Sequence, residues 1–464
     1  MKYRAFILLA LLVPVVCSCE GFEFIPSPEN SVTRDDNGKK DVFENAEIPE
    51  FHITVPLDQW NTLLAKYDEN GKTKAYVSCD VVYIDEKDHL EIKDAGLRLR
   101  GNTSRRRPEG WGGQQHQTNA DWHHCHFGLH FDKFSKDESH QVKGLRKVNL
   151  KWFKDDAVYA REVYCYDLFR RFGVWTAPGS TYCRLWLKVD GDSKETYFGV
   201  YELLESIDNR FIKARKDQFG DTKGNLWKCR YGANLASTDA YFGKDDGSDK
   251  EFVYEFKSDD NDFNAAKEQL KDFILKLTGK GEESFHTWIQ EVCDVPLLLR
   301  TYAVNVTVGM WDDYWCNQNN YYIYFNSTDK YKYKFYFIPF DYDNTLGTSQ
   351  MMDSGTQDPF HWGNDNNPLI ARLLRFEDFR NIYRDALLEL VDPDKALFYY
   401  TASMQRIRDW QDLVKDHINN DTGEDCEIRD EPASWGNMPN YRLLTEGPNN
   451  FFQVKTQTII NTCK

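Results

Sequence analysis

The chain has 464 residues and a formal net charge of −16 at pH 7. Because the phosphate backbone of a nucleic acid would be repelled by that charge, the composition argues against a nucleic-acid-binding protein. It does not exclude a nucleotide, which needs only a local basic pocket and Mg²⁺. Aromatic residues make up 15% of the chain, which is typical of a protein with large packed cores and not of a disordered one.

The N-terminal residues have the pattern of an export signal followed by a lipid-attachment site. Two basic residues precede an apolar run, residues 5–16, that is too short to span a bilayer. The run leads into the string VCSC at residues 16–19, which resembles a bacterial lipobox. We therefore expect residues 1–18 to be a lipoprotein signal peptide, and a lipid on Cys19 to anchor an exported protein to a membrane. An ordinary secretory peptide is the alternative.

The rest of the chain is expected to form a tether and two lobes. Residues 19–45 are polar and of mixed charge, as in a flexible tether. Residues 46–464 exceed the usual size of a single core. We place an N-lobe at residues 46–210 and a C-lobe at residues 211–464, on either side of a change from strand-rich to helix-rich patterns.

Hydrophobic periodicity predicts the secondary structure in chain order. Alternating patterns predict strands at residues 51–55, 75–84, 95–100, 127–131 and 147–150. An apolar stripe predicts a helix over residues 157–172, which Asp155 or Asp156 caps and Gly173 ends, and strands resume over residues 181–204. In the second half, helical patterns lie at residues 288–308, 368–391 and 394–414, and a hairpin pattern lies at residues 321–338. The segregation of strands and helices predicts an α+β fold.

A basic glycine turn follows the third predicted strand. The strand ends at Arg100 and continues into Gly101, Asn102 and Ser104, and three consecutive arginines follow at residues 105–107. Backbone N–H groups and guanidinium groups in such a turn can hold phosphates. A solvated basic loop, or a site for an acidic partner, is the alternative.

Histidines and cysteines do not indicate a zinc site. Histidines are concentrated between residues 116 and 130, but they lack the ordinary ligand spacings, and no CxxC pair occurs in the chain. The pairing of the cysteines as disulfides cannot be deduced from their positions.

Three charged residues in the middle of the chain are candidates for a nucleotide site. Glu162 lies on the predicted helix, where a glutamate can orient a phosphate-binding lysine. The strand pattern ending at residue 204 delivers Glu205 into a loop, and Lys228 is expected to face the same cleft. Each residue alone is also compatible with an ordinary surface charge.

Carboxylates and amides flank the predicted hairpin. Asp312 precedes an asparagine-rich turn that holds Asn317 and Asn320, and Asp341 and Asp343 follow the second hairpin strand. An aspartate can accept a proton from a hydroxyl nucleophile, and asparagine and aspartate oxygens can hold Mg²⁺. Phosphoryl transfer needs both functions. Solvated turns are the alternative, because Asp and Asn favour turns.

The order of these motifs resembles the CotH (spore-coat protein H) kinase domain over about residues 50–415. The stretches that carry the resemblance are RGNTS, KVNLKWFKDDAVYAREVYCYDLFRRFGV, YFGVYELLESID, GNLWK, WDDYWCNQNNYYIYF, FIPFDYDNTLG and PLIARLLRFEDFRNIY. The resemblance implies a divergent protein-kinase-like fold with a strand-rich N-lobe and a helix-rich C-lobe. It also implies Mg²⁺-dependent transfer of the γ-phosphate of ATP to Ser or Thr hydroxyls of a protein substrate.

The resemblance also implies roles for individual residues. It makes Asp312 the catalytic base, with Asn320, Asp341 and Asp343 as metal ligands and Asn317 as a rival of Asn320. The residues that it assigns to the nucleotide are Arg100, Gly101, Asn102, Ser104, Glu162, Glu205 and Lys228.

One departure from the family pattern concerns the lysine of the N-lobe. A histidine near position 124 stands where the family carries that lysine, and Lys147, Lys151 or the arginines at 105–107 are possible substitutes. The alternative to a kinase is therefore a non-catalytic surface lipoprotein that binds a glycan or a protein partner through exposed aromatic residues. The candidates for such residues are Trp111, Trp362 and Trp435. A glycosidase is a more distant alternative, because it also uses paired carboxylates.

Overall fold

A computed structural model describes residues 42–43, 48–135, 137, 139–244, 249–433 and 441–464. Cys19, the predicted signal peptide and Trp435 lie outside the described residues. The fold is a mixed α+β structure, as the sequence patterns predict.

Seven strands of the first half close into a barrel. They are β1 (Glu50–Val55), β2 (Val77–Ile84), β3 (His89–Arg100), β4 (His126–His130), β5 (Lys147–Lys151), β6 (Ser180–Val189) and β7 (Thr196–Glu205). Their order around the barrel is β1-β2-β3-β4-β5-β7-β6, and the parallel pairing of β1 with β6 closes it. The side chains of β1 and β2 alternate between buried and half-buried, because one face of each strand fills the barrel.

Five strands form a second sheet. They are β8 (Asn225–Cys229), β9 (Phe242–Lys244), β10 (Tyr254–Phe256), β11 (Tyr321–Phe325) and β12 (Phe335–Pro339), in the order β12-β11-β8-β10-β9. The predicted hairpin is the antiparallel pair β11 and β12. Every residue of β11 is buried, which explains its continuous run of aromatic and apolar residues.

Helices follow or flank these sheets. They are α1 (Leu57–Glu69), α2 (Arg161–Arg171), α3 (Asn209–Ala214), α4 (Lys216–Phe219), α5 (Phe263–Gly279), α6 (Glu282–Val292), α7 (Val295–Thr307), α8 (Pro368–Leu373), α9 (Glu377–Leu390), α10 (Tyr400–Val414) and α11 (Phe451–Cys463). Short 3₁₀ turns occur at Pro359–His361, Pro393–Lys395 and Lys415–His417. None of the described helices combines the length and the apolarity that a bilayer-crossing helix needs.

The boundaries of α2 follow from its flanking residues. The carboxylate of Asp156 accepts hydrogen bonds from the N–H groups of Ala160 (3.1 Å) and Arg161 (2.9 Å), so it caps the helix from outside. At the other end Gly173 adopts φ +79°, a conformation that favours glycine. Both signals were predicted, but the helix starts later than residue 157.

The buried side chains fall into two cores. One fills the barrel, and the other joins the second sheet to the helices that surround it. α2 belongs to this second core, although its sequence lies between two barrel strands. The nine cysteines of the described residues are all unpaired.

Candidate active site

One row of side chains crosses the outer face of the barrel where β5 ends. The strand registers place Arg100 of β3 beside His126 of β4, and Lys151 of β5 beside Glu202 of β7. His130 of β4 pairs with Lys147 of β5, so continuing that antiparallel register brings His126 alongside Lys151. The row therefore lines up three basic side chains and one acid.

Lys151 is the centre of the site. Its ammonium directly contacts the carboxylate of Glu162 and lies 2.8 Å from Asp341 Oδ1 and 3.7 Å from Asp343 Oδ2. Burial acts against its charge, but the carboxylates of Asp341, Glu162 and Asp343 outweigh burial and raise the pKa of Lys151 well above its ordinary value. Lys151 therefore stays protonated and joins the barrel, α2 and the segment after β12.

Three carboxylates crowd around this lysine. Of the groups in the described part of the chain, those of Glu162, Asp341 and Asp343 have ligand atoms that all lie within 4.8 Å of one another. Lys151, Lys228 and Arg100 overcome the effect of burial and lower the pKa of Asp341 to about 2. Burial, together with neighbouring acids, raises the pKa of Asp343 and of Glu162 well above the ordinary range. The single positive charge of Lys151 thus does not balance the charges of three ionised carboxylates.

The cluster fits a hard divalent cation. Asp343 Oδ1 is buried and has no hydrogen-bond partner among the described residues. An unpartnered carboxylate oxygen beside two further carboxylates is a donor set that Mg²⁺ prefers. Asp341 and Asp343 also line the large cavity between the barrel and the second sheet, so an ion that they held would face it.

Local contacts position the two aspartates. Asp341 adopts φ +65°, which a residue other than glycine rarely does, and its N–H donates to the Tyr166 hydroxyl at 2.9 Å. The N–H of Tyr342 donates to Glu162 Oε1 at 3.1 Å. Both partners belong to α2, so α2 supplies the surface against which this turn is held.

Three amides surround the carboxylate of Asp312. Asn317 and Asn319 donate to Oδ1, at 2.5 and 3.1 Å, and Asn320 donates to Oδ2 at 2.8 Å. Burial outweighs these hydrogen bonds and raises the pKa of Asp312, which makes its ionised form a better proton acceptor. Asn317 and Asn320 both contact Asp312, so these contacts do not choose between the two candidate ligands.

A buried chain of hydrogen bonds links the Asp312 turn to the Asp341 turn. Asn305 of α7 donates to Asp313 Oδ2 at 2.5 Å, and the Tyr342 hydroxyl donates to Asn305 Oδ1 at 2.8 Å. Burial raises the pKa of Asp313 to about 7. Asn305 could not be found from the sequence, because a lone asparagine in an apolar helix stripe carries no spacing signal.

The glycine turn after β3 folds tightly over its own backbone. Gly101 adopts φ +102°, and a Cβ there would lie 2.6 Å from Ser104 Oγ and 2.8 Å from the N of Arg105. Arg105 donates to Gly101 O at 3.0 Å and to Thr73 O at 2.6 Å. Glycine is therefore required at this position.

Most of the predicted residues face one cavity of about 1330 Å³ between the barrel and the second sheet. The candidates that line it are Arg100, Gly101, Asn102, Ser104, Lys228, Asp312, Asn317, Asn320, Asp341 and Asp343. Lys228 points between aromatic rings, with its ammonium 5.7 Å from the ring centre of Tyr322 and 5.2 Å from that of Phe340. Burial, with Arg230 nearby, lowers the pKa of Lys228 well below its ordinary value.

Glu205 does not face this cavity. Its carboxylate accepts hydrogen bonds from the two terminal guanidinium nitrogens of Arg215, at 2.8 and 3.1 Å, and from the N–H of Gly179 at 2.9 Å. The acid of β7 that lies beside Lys151 in the strand register is Glu202, three residues earlier. Glu205 was predicted from its place at the end of the strand pattern, whereas the strand register determines which residue lies beside Lys151.

Of the residues considered for the role of the N-lobe lysine, Lys151 is the one that contacts Glu162. His124 instead bonds to Phe198 O at 2.7 Å and to Asp425 at 3.3 Å. Arg106 and Arg107 form ion pairs outside this site, with Glu424 at 2.7 Å and with Asp68 at 2.9 Å respectively.

The aromatic residues considered for partner binding differ in exposure. The side chain of Trp111 is 70% exposed, but that of Trp362 is only 1% exposed and packs in the second core. The prediction of an exposed Trp362 is therefore wrong. Its indole N–H donates to Met310 O at 3.0 Å, so the ring packs in the core with its polar group hydrogen-bonded.

Comparison with known protein families identifies one match. The family model described as CotH kinase protein matches residues 97–441. This span contains every candidate site residue from Arg100 to Asp343. No curated protein matches the chain.

Proposed function

Because the chain belongs to the CotH kinase family, we propose that it is an atypical protein kinase that transfers the γ-phosphate of ATP to Ser or Thr hydroxyls. The observation that carries the proposal is the contact of Lys151 with Glu162 and Asp341 in a cavity that also contains Asp312. A lysine–glutamate pair, a metal-binding aspartate and a catalytic aspartate are the parts that kinase-type phosphoryl transfer requires.

Basic side chains are available for the phosphates of the donor. Arg100 and Lys228 line the cavity, and both act on the carboxylate of Asp341 by lowering its pKa. Neither has an ion-pair partner within 4.0 Å among the residues that the structure describes. Both side chains are half-buried, and an anionic phosphate beside them would favour the protonated form of Lys228, whose pKa burial lowers.

The acidic side of the cavity would hold Mg²⁺ through Asp341 and Asp343, with Glu162 close by and Asn320 or Asn317 as a further oxygen donor. A bound Mg²⁺ neutralises phosphate charge in such sites. Lys151 already lies against Asp341 and Asp343, so it keeps these two carboxylates oriented. The fit rests on the unpartnered oxygen of Asp343.

We assign the role of proton acceptor to Asp312. As the acceptor oxygen bonds to the γ-phosphorus, the bond from that phosphorus to the bridging oxygen breaks and ADP leaves. The hydroxyl proton passes to the carboxylate of Asp312, whose raised pKa favours accepting it. The amides of Asn317, Asn319 and Asn320 hold the carboxylate in place until then.

Incubation of the purified protein with γ-labelled ATP and Mg²⁺ tests the proposal. Wild type is expected to label itself or a mixture of acceptor proteins, and Asp312→Asn and Asp341→Asn should each lose at least 100-fold of that rate. Asp394→Asn, an exposed aspartate in a 3₁₀ turn, is the matched control and should keep it. No labelling together with no nucleotide-induced thermal shift would remove the kinase assignment in favour of a non-catalytic binding protein.

We also propose that the protein is exported and anchored to a bacterial membrane by a lipid on Cys19. The support is the VCSC string after a short apolar run. Metabolic labelling with a fatty acid should mark the wild type and not Cys19→Ser. Cys17→Ser is the matched control, and equal labelling of Cys19→Ser would contradict the anchor.

A further inference from the structure

A second group of cations lies in the same cavity, away from the acidic cluster. Arg98, Lys133 and Lys147 surround Tyr76, and all four residues line the cavity. The guanidinium carbon of Arg98 lies 5.4 Å from the ring centre of Tyr76, and the ammonium of Lys133 lies 5.1 Å from it. The cations outweigh the effect of burial and lower the pKa of the Tyr76 phenol, Arg98 more than Lys147.

The strand register fixes where this group lies. Arg98 on β3 faces Gly128 on β4, and His130 on β4 faces Lys147 on β5. Lys147 and Lys151 are the two ends of β5, so at roughly 3.3 Å per residue they lie about 13 Å apart. The ammonium of Lys151 is turned toward Glu162 and Asp341, so the second group is centred away from it.

Gly128 leaves room for two arginine side chains on this face of β4. A Cβ at Gly128 would lie 3.1 Å from Arg100 Cδ and 3.4 Å from Arg98 Nε. Both arginine side chains therefore run across the position that a larger residue would fill.

Little compensating negative charge lies near the second group in the described part of the chain. Arg98 Nε is buried and has no hydrogen-bond partner in the described residues. The carboxylate that approaches the group is that of Asp208, 3.7 Å from Lys147, and its other oxygen caps α3 through the N–H of Arg210 at 2.8 Å. Three cations against one shared carboxylate repel one another, and a bound anion would relieve that repulsion.

We propose that Arg98, Lys133, Lys147 and Tyr76 form a second anion site, which binds a phosphate group carried by the kinase ligand. A guanidinium fork, two ammonium groups and a phenol hydroxyl supply the donors that a phosphate accepts. The phosphate belongs either to the ribose of the donor nucleotide or to an acceptor that is already phosphorylated. The identity of the ligand rests on the proposed function, but the binding of the anion does not.

Calorimetric titration of the full protein with inorganic phosphate, without Mg²⁺, tests the site. Relative to wild type, Arg98→Gln/Lys147→Gln should weaken one binding component at least 10-fold. The control Arg408→Gln/Lys395→Gln removes the same charges from exposed positions outside the cavity and should leave that component unchanged. Lys228→Gln, on a strand of the second sheet, should also preserve that component.

Two further variants separate this proposal from its neighbours. Asp312→Asn should lose phosphoryl transfer and keep phosphate binding, so a failed kinase assay would leave this test intact. Lys133→Gln changes only an exposed side chain and should lower the affinity for phosphate about 3-fold. This single variant replaces the double variant as the test if the double variant folds poorly. Equal phosphate affinity in wild type, Lys133→Gln and the double variant would overturn the site.

Competition experiments identify the source of the phosphate. Stronger displacement by adenosine 3′,5′-bisphosphate than by adenosine 5′-monophosphate would assign the site to the donor. Stronger displacement by a phosphoserine peptide than by its unphosphorylated form would assign it to the acceptor. Displacement by neither would overturn its link to the transfer reaction.

Discussion

The ammonium of Lys151 lies 2.8 Å from the carboxylate of Asp341, although 190 positions separate the two residues in the chain. Lys151 ends a barrel strand, and Asp341 follows the last strand of the second sheet. Their contact therefore joins the two sheets at the floor of one cavity. Glu162, from a helix of the second core, touches the same ammonium.

Replacing Lys151 by Met should leave three carboxylates without their cation. Breaking a buried ion pair in this way costs about 3 to 5 kcal/mol, and the carboxylates will take up protons in response. We expect phosphoryl transfer to fall at least 100-fold, and Mg²⁺ to raise the melting temperature more than in wild type. Scanning calorimetry with and without Mg²⁺ measures the second effect. Lys395→Met is the control, and an equal Mg²⁺ response in all three proteins would contradict the metal assignment.

Gly101→Ala should disturb the turn that follows β3. The new Cβ would meet Ser104 Oγ and the N of Arg105 at a φ that alanine avoids, which costs about 1 to 3 kcal/mol. If the turn covers phosphates, nucleotide affinity should fall about 10-fold in a fluorescence titration. Gly113→Ala is the matched control, because Gly113 also has a positive φ but has nothing within 4 Å of its Cβ. Similar affinities for both variants would argue against a phosphate-binding turn.

Glu205→Ala should act on stability and not on nucleotide binding. The substitution leaves Arg215 buried without its carboxylate, and losing one partner of such a pair costs about 3 to 5 kcal/mol. Urea unfolding should show this loss, while the dissociation constant for ATP, measured on folded protein, should stay within 2-fold of wild type. A large change in that dissociation constant with normal stability would show that Glu205 contributes to nucleotide binding.

Lys455 should make stability depend on pH above neutrality. Burial lowers the pKa of this lysine from 10.5 to about 7, and its ammonium donates to Ser354 O at 3.0 Å and faces the ring of Trp362. Between pH 7 and pH 10.5 the unfolded chain therefore binds more protons at this position than the folded protein does. The contribution of Lys455 to the free energy of unfolding therefore rises with pH across that window, by about 5 kcal/mol in total.

Urea unfolding at several pH values between 6 and 10 measures that slope. Lys455→Met should flatten it and raise stability near pH 7, because no ammonium is then buried. Lys395→Met, at an exposed position, should leave the slope as in wild type. A slope that is unchanged in Lys455→Met would show that Lys455 is not the titrating group.

Local patterns were sufficient for most of the secondary structure and for the types of chemistry available. Most barrel strands, α2 and the hairpin were predicted close to their observed bounds, because alternation and helical stripes depend on neighbouring residues. The exception is β3, which begins at His89, six residues before the predicted strand. The predicted helix over residues 394–414 begins at Tyr400 instead. A 3₁₀ turn at Pro393–Lys395 and the left-handed conformation of Ala396 delay its start.

Contacts between distant elements needed the tertiary structure. The sequence offered Lys147, Lys151 and three arginines as equal substitutes for the family lysine, and it placed Glu205 in the cleft. Strand register sets Lys151 beside Glu202, and the packing of α2 brings Glu162 to the ammonium of Lys151. Glu205 pairs with Arg215 instead. Register and the packing of α2 depend on residues far apart in the chain, so a single sequence holds no local signal for them.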